Sequence, residues 1–249
     1  MIIFMRMDRL LCEMNIGTRS KVKELIKKGQ VRVNGEVICK PEQHVDEACA
    51  RVTCMGKEYV YRPYVYYMMN KPAGVITATV DARERTVLDL LKEQLKMYSD
   101  EEAAGVPLKD IFPVGRLDKD TVGLLLLTND GALAHNLLSP AKHIAKQYLV
   151  RTDLPVTKEQ VRRLEEGVLI GEDERTRPAQ VTLKDKKECY ITITEGKFHQ
   201  IKRMFRAVGN TVVYLKRMSM GSLALDEALA EGQIRELTPK EVTDLCSGI

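Results

Sequence analysis

Ile111-Phe112-Pro113-Val114-Gly115-Arg116-Leu117-Asp118-Lys119-Asp120-Thr121-Val122-Gly123-Leu124-Leu125-Leu126-Leu127-Thr128-Asn129-Asp130-Gly131 is the stretch that decides the fold. Its centre, Leu124 to Leu127, is a short apolar run closed by the turn signal Asn129-Asp130-Gly131. Such a run reads as a central strand buried on both faces. Just before it, Arg116 to Thr121 is dense in charge and flanked by Gly115 and Gly123, residues that allow tight turns and close backbone approach. A charged loop running into a buried strand places its carboxylates at the floor of a cleft. The loop's carboxylates are therefore candidates for chemistry, although taken alone the loop reads first as an ordinary polar one, with Asp118 paired to Arg116 or capping the strand.

Working outward, the 249 residues contain 44% hydrophobic positions, enough for one large or two smaller cores. No apolar run approaches the roughly 20 residues of a membrane span, and Met1-Ile2-Ile3-Phe4 is too short for a signal peptide. Met5 serves as well as Met1 for a natural start. The six cysteines (12, 39, 49, 54, 189 and 246) show no Cys-x-x-Cys spacing, and Cys49, Cys54 and His44 make a poor zinc site. Free thiols in a cytoplasmic protein without metal are expected. The net charge of +4 is uneven: residues 1–40 carry +5 and the rest −1. A basic end on a near-neutral body suggests a polyanionic partner.

Met7, Leu10, Leu11 and Met14 have the spacing of one helix face, ended by Gly17, and Thr18 can cap a second helix. That helix has Val22, Leu25 and Ile26 on one side and Arg19, Lys23 and Lys27 on the other, with Lys21 and Lys28 nearby and Gly29 at its end. Val31-Arg32-Val33 then enters a hairpin turn at Asn34-Gly35. Beyond Arg62-Pro63, Tyr64 to Met69 is an extended run stopping at Asn70-Lys71-Pro72-Ala73-Gly74. A helix is expected over 86–97, a polar loop over 98–110, and a short helix from Ala132 to Leu138. Strands are expected at 146–150, 181–183, 189–194 and 211–217. Capping boxes at Thr157 and Thr238 open further helices. After Glu195-Gly196 comes Lys197-Phe198-His199-Gln200-Ile201-Lys202-Arg203-Met204-Phe205, in which Ile201, Met204, Phe205 and Val208 share a helix face that Lys202, Arg203 and Arg206 avoid. Strands far apart with scattered helices indicate an α+β domain on a mixed sheet.

Gly-Arg-Leu-Asp followed by Thr-x-Gly-Leu-Leu-Leu-Leu-Thr-Asn-Asp-Gly resembles the catalytic motif of the RsuA-type ribosomal RNA pseudouridine synthases. Lys-Pro-x-Gly after a strand recurs in the same family. Thr-Arg-Ser, Gly-x-Val-x-Val-Asn-Gly and the basic helix face resemble an S4 RNA-binding module. The resemblance runs from Arg6 to about Leu245 and implies two parts. Residues 5–62 are expected to be a small S4-type αα-hairpin domain and linker, and 63–249 a catalytic domain on a mixed, largely antiparallel sheet.

It also implies the chemistry. Pseudouridine formation breaks the N1–C1′ bond and rejoins uracil through C5, with no cofactor, so no P-loop or dinucleotide fingerprint is needed, and none is present. It needs an ionised carboxylate near the sugar, a cation to keep it charged, and a uridine flipped out of its stack. By resemblance Asp118 is the catalytic aspartate and Tyr148 the tyrosine that stacks on the base. Lys202 is the basic partner, with adjacent Arg203 as the alternative, and Leu215 the apolar residue beside the base. Arg19, Lys21, Lys23, Lys27, Lys28, Arg116, Lys197, His199, Gln200 and Arg203 are expected on RNA, His199 as a structural or RNA contact rather than a base. The Gly-Lys-Phe-His-Gln form looks closest to members acting on 16S RNA, so the expected partner is 16S ribosomal RNA or the assembling small subunit, met by a monomer. The alternatives are the same reaction on 23S RNA, or a non-catalytic RNA-binding assembly factor.

Overall fold

The computed structural model describes residues 4–46, 51–95 and 110–248. The loop expected over 98–110 lies outside the described residues but for Asp110, as do Cys49 and the last two residues of the helix expected over 86–97. Two compact units form, one from the described residues up to Val65 and within 92–111, the other from 66–91 and from Phe112 onward.

In the first unit, β1 (Phe4–Arg6) leads into α1 (Met7–Glu13) and α2 (Arg19–Lys27). Then follow β2 (Val31–Val33), β3 (Glu36–Val37), β4 (His44–Asp46), β5 (Arg51–Cys54) and β6 (Lys57–Val60). β1 pairs with β4, and the others form an antiparallel sheet in the order β3-β2-β5-β6. Met7, Leu10, Leu11, Met14, Val22 and Ile26 are fully buried in one core with Val31, Val52 and Cys54. Gly17 was the expected end of α1, but the helix stops earlier. Asn15 takes the left-handed conformation, φ 56°, and its N–H donates to the Cys12 carbonyl while that of Ile16 donates to Leu11. This is the hydrogen-bond pattern of a Schellman cap, which asparagine can adopt in place of glycine. Thr18 caps α2 through Lys21 N–H, and Gly29, at φ 68°, follows its end.

The second unit contains β7 (Tyr66–Lys71), α3 (Val87–Leu95), β8 (Phe112–Pro113), β9 (Val122–Thr128), α4 (Gly131–Leu138) and β10 (Lys146–Thr152). It continues with α5 (Lys158–Glu166), β11 (Gln180–Leu183), β12 (Glu188–Ile193), α6 (Gln200–Ala207) and β13 (Val212–Met220). β14 (Leu223–Ala224), β15 (Ile234–Glu236) and α7 (Pro239–Ser247) complete it. The sheet runs β11-β12-β10-β13-β9-β7-β15 and is antiparallel except where β13 meets β9. Every residue of β9 is buried, as expected of a strand covered on both faces. Asp130 both closes β9 and caps α4, accepting from Leu133 N–H at 2.9 Å.

The parallel join between β9 and β13 is short, pairing Lys216 with Val122 and Arg217 with Gly123. Gly123 has φ 101°, and a Cβ there would overlap the Arg217 carbonyl oxygen and stand 2.8 Å from the Arg217 nitrogen. Arg217, 2% exposed, then reaches along the seam and donates from Nε to the Leu124 carbonyl at 2.6 Å. Gly123→Ala should therefore part the two strands, costing about 3 kcal/mol or more. The check is the denaturation midpoint. A variant as stable as wild type would show that the seam tolerates a methyl group.

Candidate active site

Asp118 lies in the loop entering β9, and this loop is fastened from below. Lys71, at the end of β7, is fully buried and donates from Nζ to the carbonyls of Pro72 (3.0 Å), Thr121 (2.9 Å) and Lys119 (3.4 Å). Three carbonyls match the three N–H bonds of one ammonium. The Thr77 hydroxyl donates to the Leu117 carbonyl at 2.8 Å, and Gly74 N–H donates to the Lys119 carbonyl. Lys71-Pro72-Ala73-Gly74 thus holds the Arg-Leu-Asp loop from some 45 residues away in sequence.

Above this loop lies α6. Lys202 Nζ donates to Asp118 Oδ2 at 2.9 Å and to Asp120 Oδ1 at 2.5 Å. Of the two candidate partners for Asp118 it is therefore Lys202 that makes the contact. Burial works against the ammonium, but the hydrogen bonds to Asp120 and Asp118 outweigh it and hold Lys202 above its ordinary value. Asp120 is lowered because its bond and attraction to Lys202 overcome its own burial. His199 Nε2 stands 3.5 Å from the other oxygen of Asp118. The side chains of Asp118 and Lys202 remain about a quarter exposed, so this is a half-buried pair in an open cleft.

The strands supply the cleft's apolar wall. Tyr148 on β10 and Leu215 on β13 are both buried, and with Ile193 and Ile201 they line the same cleft as Arg116, Asp118, Lys197, His199 and Lys202. All of the expected catalytic and base-packing residues thus converge, along with part of the expected RNA set. Two members of that set are used inside the protein. Arg203 donates to the carbonyls of Ile170 and Phe198 and to Glu174 at 2.7 Å. Gln200 is 4% exposed, accepting from Lys197 N–H and donating to Glu195. Both brace the turn before α6, so neither side chain is turned outward for RNA as expected. Sequence reasoning gave no role to Asp120 or Lys71. The signal was available in Lys-Pro-x-Gly and in the second carboxylate of Asp118-Lys119-Asp120, but both partners lie too far along the chain to be paired by spacing.

On α2, Arg19, Lys21, Lys23, Lys27 and Lys28 are all exposed. Glu24 binds Lys28 at 2.6 Å and Lys21 at 3.8 Å, leaving Arg19, Lys23 and Lys27 without a salt bridge among the described residues.

Burial lowers Lys71 from 10.5 to about 8, against the pull of Asp120 and Asp118. Between these values the unfolded chain keeps a proton that the folded chain has released, so stability rises with pH across this window. Lys71→Met lacks that rise. The stability difference, wild type minus variant, should grow by roughly 1–3 kcal/mol from pH 8 to pH 10.5. Denaturant midpoints across the range check it, and parallel curves would rule out titration of Lys71 there.

Residues 65–207 match the family model described as RNA pseudouridylate synthase, and residues 5–48 match that of the S4 domain. An uncharacterized RNA pseudouridine synthase of Bacillus subtilis is 48% identical over 96% of this chain and 97% of its own length. A ribosomal small subunit pseudouridine synthase A of Vibrio cholerae is 37% identical, with coverage of 97% and 99%. A ribosomal large subunit pseudouridine synthase B of Bacillus subtilis is also 37% identical, with coverage of 96% and 95%. A pseudouridylate synthase crystal structure, 33% identical, superposes with a TM-score of 0.64 over 97% of this chain and 99% of that one.

Proposed function

The chain belongs to the RNA pseudouridylate synthase family, and from that premise we propose that it isomerises a specific uridine of 16S ribosomal RNA with Asp118 as the catalytic carboxylate. The reading is carried by one observation: Asp118 and Lys202 meet at 2.9 Å in a cleft walled by Tyr148 and Leu215. In this reading residues 63–249 form the catalytic domain and residues 5–62 the S4-like one, acting in the cytoplasm. The target uridine leaves its stack and its uracil lies against the Tyr148 ring, with Leu215 beside it. Asp118 acts at the sugar, as nucleophile at C1′ or as base, and the N1–C1′ bond breaks. The freed uracil turns within the cleft and C5 joins C1′. The C5 proton is released to water and N1 takes one up, so no atom is gained or lost overall. Lys202, 2.9 Å away, offsets the negative charge of the carboxylate while substrate covers the cleft.

The 16S assignment is supported by the Gly196-Lys197-Phe198-His199-Gln200 motif and the small-subunit relative. The second reading, 23S RNA, is favoured by a large-subunit relative of equal identity. Pseudouridine mapping in both RNAs, from cells with and without the protein, distinguishes them. Loss of a 16S site supports the proposal, and loss of a 23S site overturns it.

With 16S transcript carrying 5-tritiated uridine, Asp118→Asn should release no tritium above background, while Lys202→Arg should keep substantial activity. Lys202→Met should slow release severely but cost only about 1 kcal/mol of stability, because the pair is a quarter exposed. Release by Asp118→Asn at the wild-type rate would remove the catalytic assignment.

The basic face of α2 is assigned to phosphate contact. If three to five phosphates are neutralised, log K against log salt should have a slope of about −2 to −4. Replacing Arg19, Lys23 and Lys27 with glutamine should flatten that slope and weaken binding, with little change in the saturated single-turnover rate. An unchanged slope would mean that this face is only solvated.

A further inference from the structure

Phe198 is 74% exposed, more than any other phenylalanine or tyrosine among the described residues. It stands between Lys197 and His199, both of which line the cleft. One face of its ring stacks on the His199 imidazole, with centroids 3.8 Å apart and planes 19° from parallel. Being so exposed, the ring has its other face open to water.

An exposed apolar ring on a slack loop would need no explanation, but this one is rigidly mounted. The Phe198 carbonyl accepts from Arg203 Nη1 at 3.0 Å, and the same guanidinium is fixed on Ile170 and Glu174. Lys197 donates from Nζ to the Arg175 carbonyl and from its N–H to Gln200, whose own amide is tied to Glu195. His199 holds a left-handed conformation, φ 46°, so the turn that presents the two rings is set against ordinary backbone preference. Five side chains are thus committed to holding a phenylalanine in water at the rim of a cleft edged by Arg116, Lys197 and Lys202.

We propose that the open face of Phe198 stacks on a nucleobase next to the uridine in the cleft, taking the place in the stack that the flipped base vacates. This rests on the reading that the cleft receives a flipped uridine. A flipped base leaves its neighbour with one face uncovered, and an aromatic ring covers that face whatever the base. His199 backs the ring on its inner side and carries the stacked surface from the rim to Asp118, 3.5 Å away. Phe198 is then a positioning residue: it holds the strand in the register that admits the uridine, and touches no reacting atom.

The probe is a ten-nucleotide single-stranded RNA alternating uridine and 2-aminopurine, so any uridine entering the cleft has fluorescent neighbours. Wild type should quench the bound RNA. Phe198→Leu, apolar and of similar volume, should lose most of the quench and bind roughly 5- to 100-fold more weakly, the worth of one base–aromatic stack. Phe198→Tyr should restore both. Equal quench in wild type and the leucine variant, or no quench in either, overturns the proposal. Tritium release from 16S transcript by wild type tests the cleft reading separately. Release without a Phe198-dependent quench leaves the synthase reading and removes this one, and a Phe198-dependent quench without release supports the stacking contact and removes the 16S assignment.

Discussion

One ammonium held by two carboxylates governs the site. Lys202 comes from a helix and Asp118 and Asp120 from a loop 82 or more residues earlier, and their meeting at 2.9 and 2.5 Å ties the two together. With three charges in contact the group carries a net negative charge, in a cleft whose rim is basic. Asp120 shares the cation with Asp118, and its bond to Lys202 lowers it against its own burial.

The rest of the second unit serves to bring that loop and that helix together. Lys71 and Thr77 fix the loop's carbonyls from one side, Gly123 lets β13 close on β9, and Arg217 fills the space beside the junction. On the helix side, Ile201, Met204 and Phe205 are buried, which sets the rotation of α6 and so the direction of Lys202. Apolar burial fixes the frame, and a few buried polar groups fix the register of the residues that carry charge.

Much of this was legible in sequence because the signals are local. The all-apolar run of β9, the capping boxes at Thr157 and Thr238 and the amphipathic face of α6 each fit within a dozen residues. The pairing of Asp118 with Lys202 was readable only through resemblance, since no spacing rule joins residues 84 positions apart. Where the reading failed, competition was the cause. Gly17 was the obvious stop for α1, yet Asn15 reached the left-handed conformation first. Gln200 and Arg203 were expected on RNA by resemblance, but nearby carbonyls and carboxylates hold them. Lys71 had no role by sequence, and only the folded loop brings three carbonyls to it.

The two-rung join between β9 and β13 has a mechanical side. The sheet's antiparallel pairs run for two to seven rungs, but among the described residues the strand pairing that joins its two halves is Lys216 with Val122 and Arg217 with Gly123. Asp118 belongs to the half that holds β7 and β9, and Tyr148, Leu215 and Lys202 to the half that holds β10, β13 and α6. The span between carboxylate and ammonium is therefore set across this seam, and the close backbone approach that Gly123 permits also fixes how far apart the two charges stand.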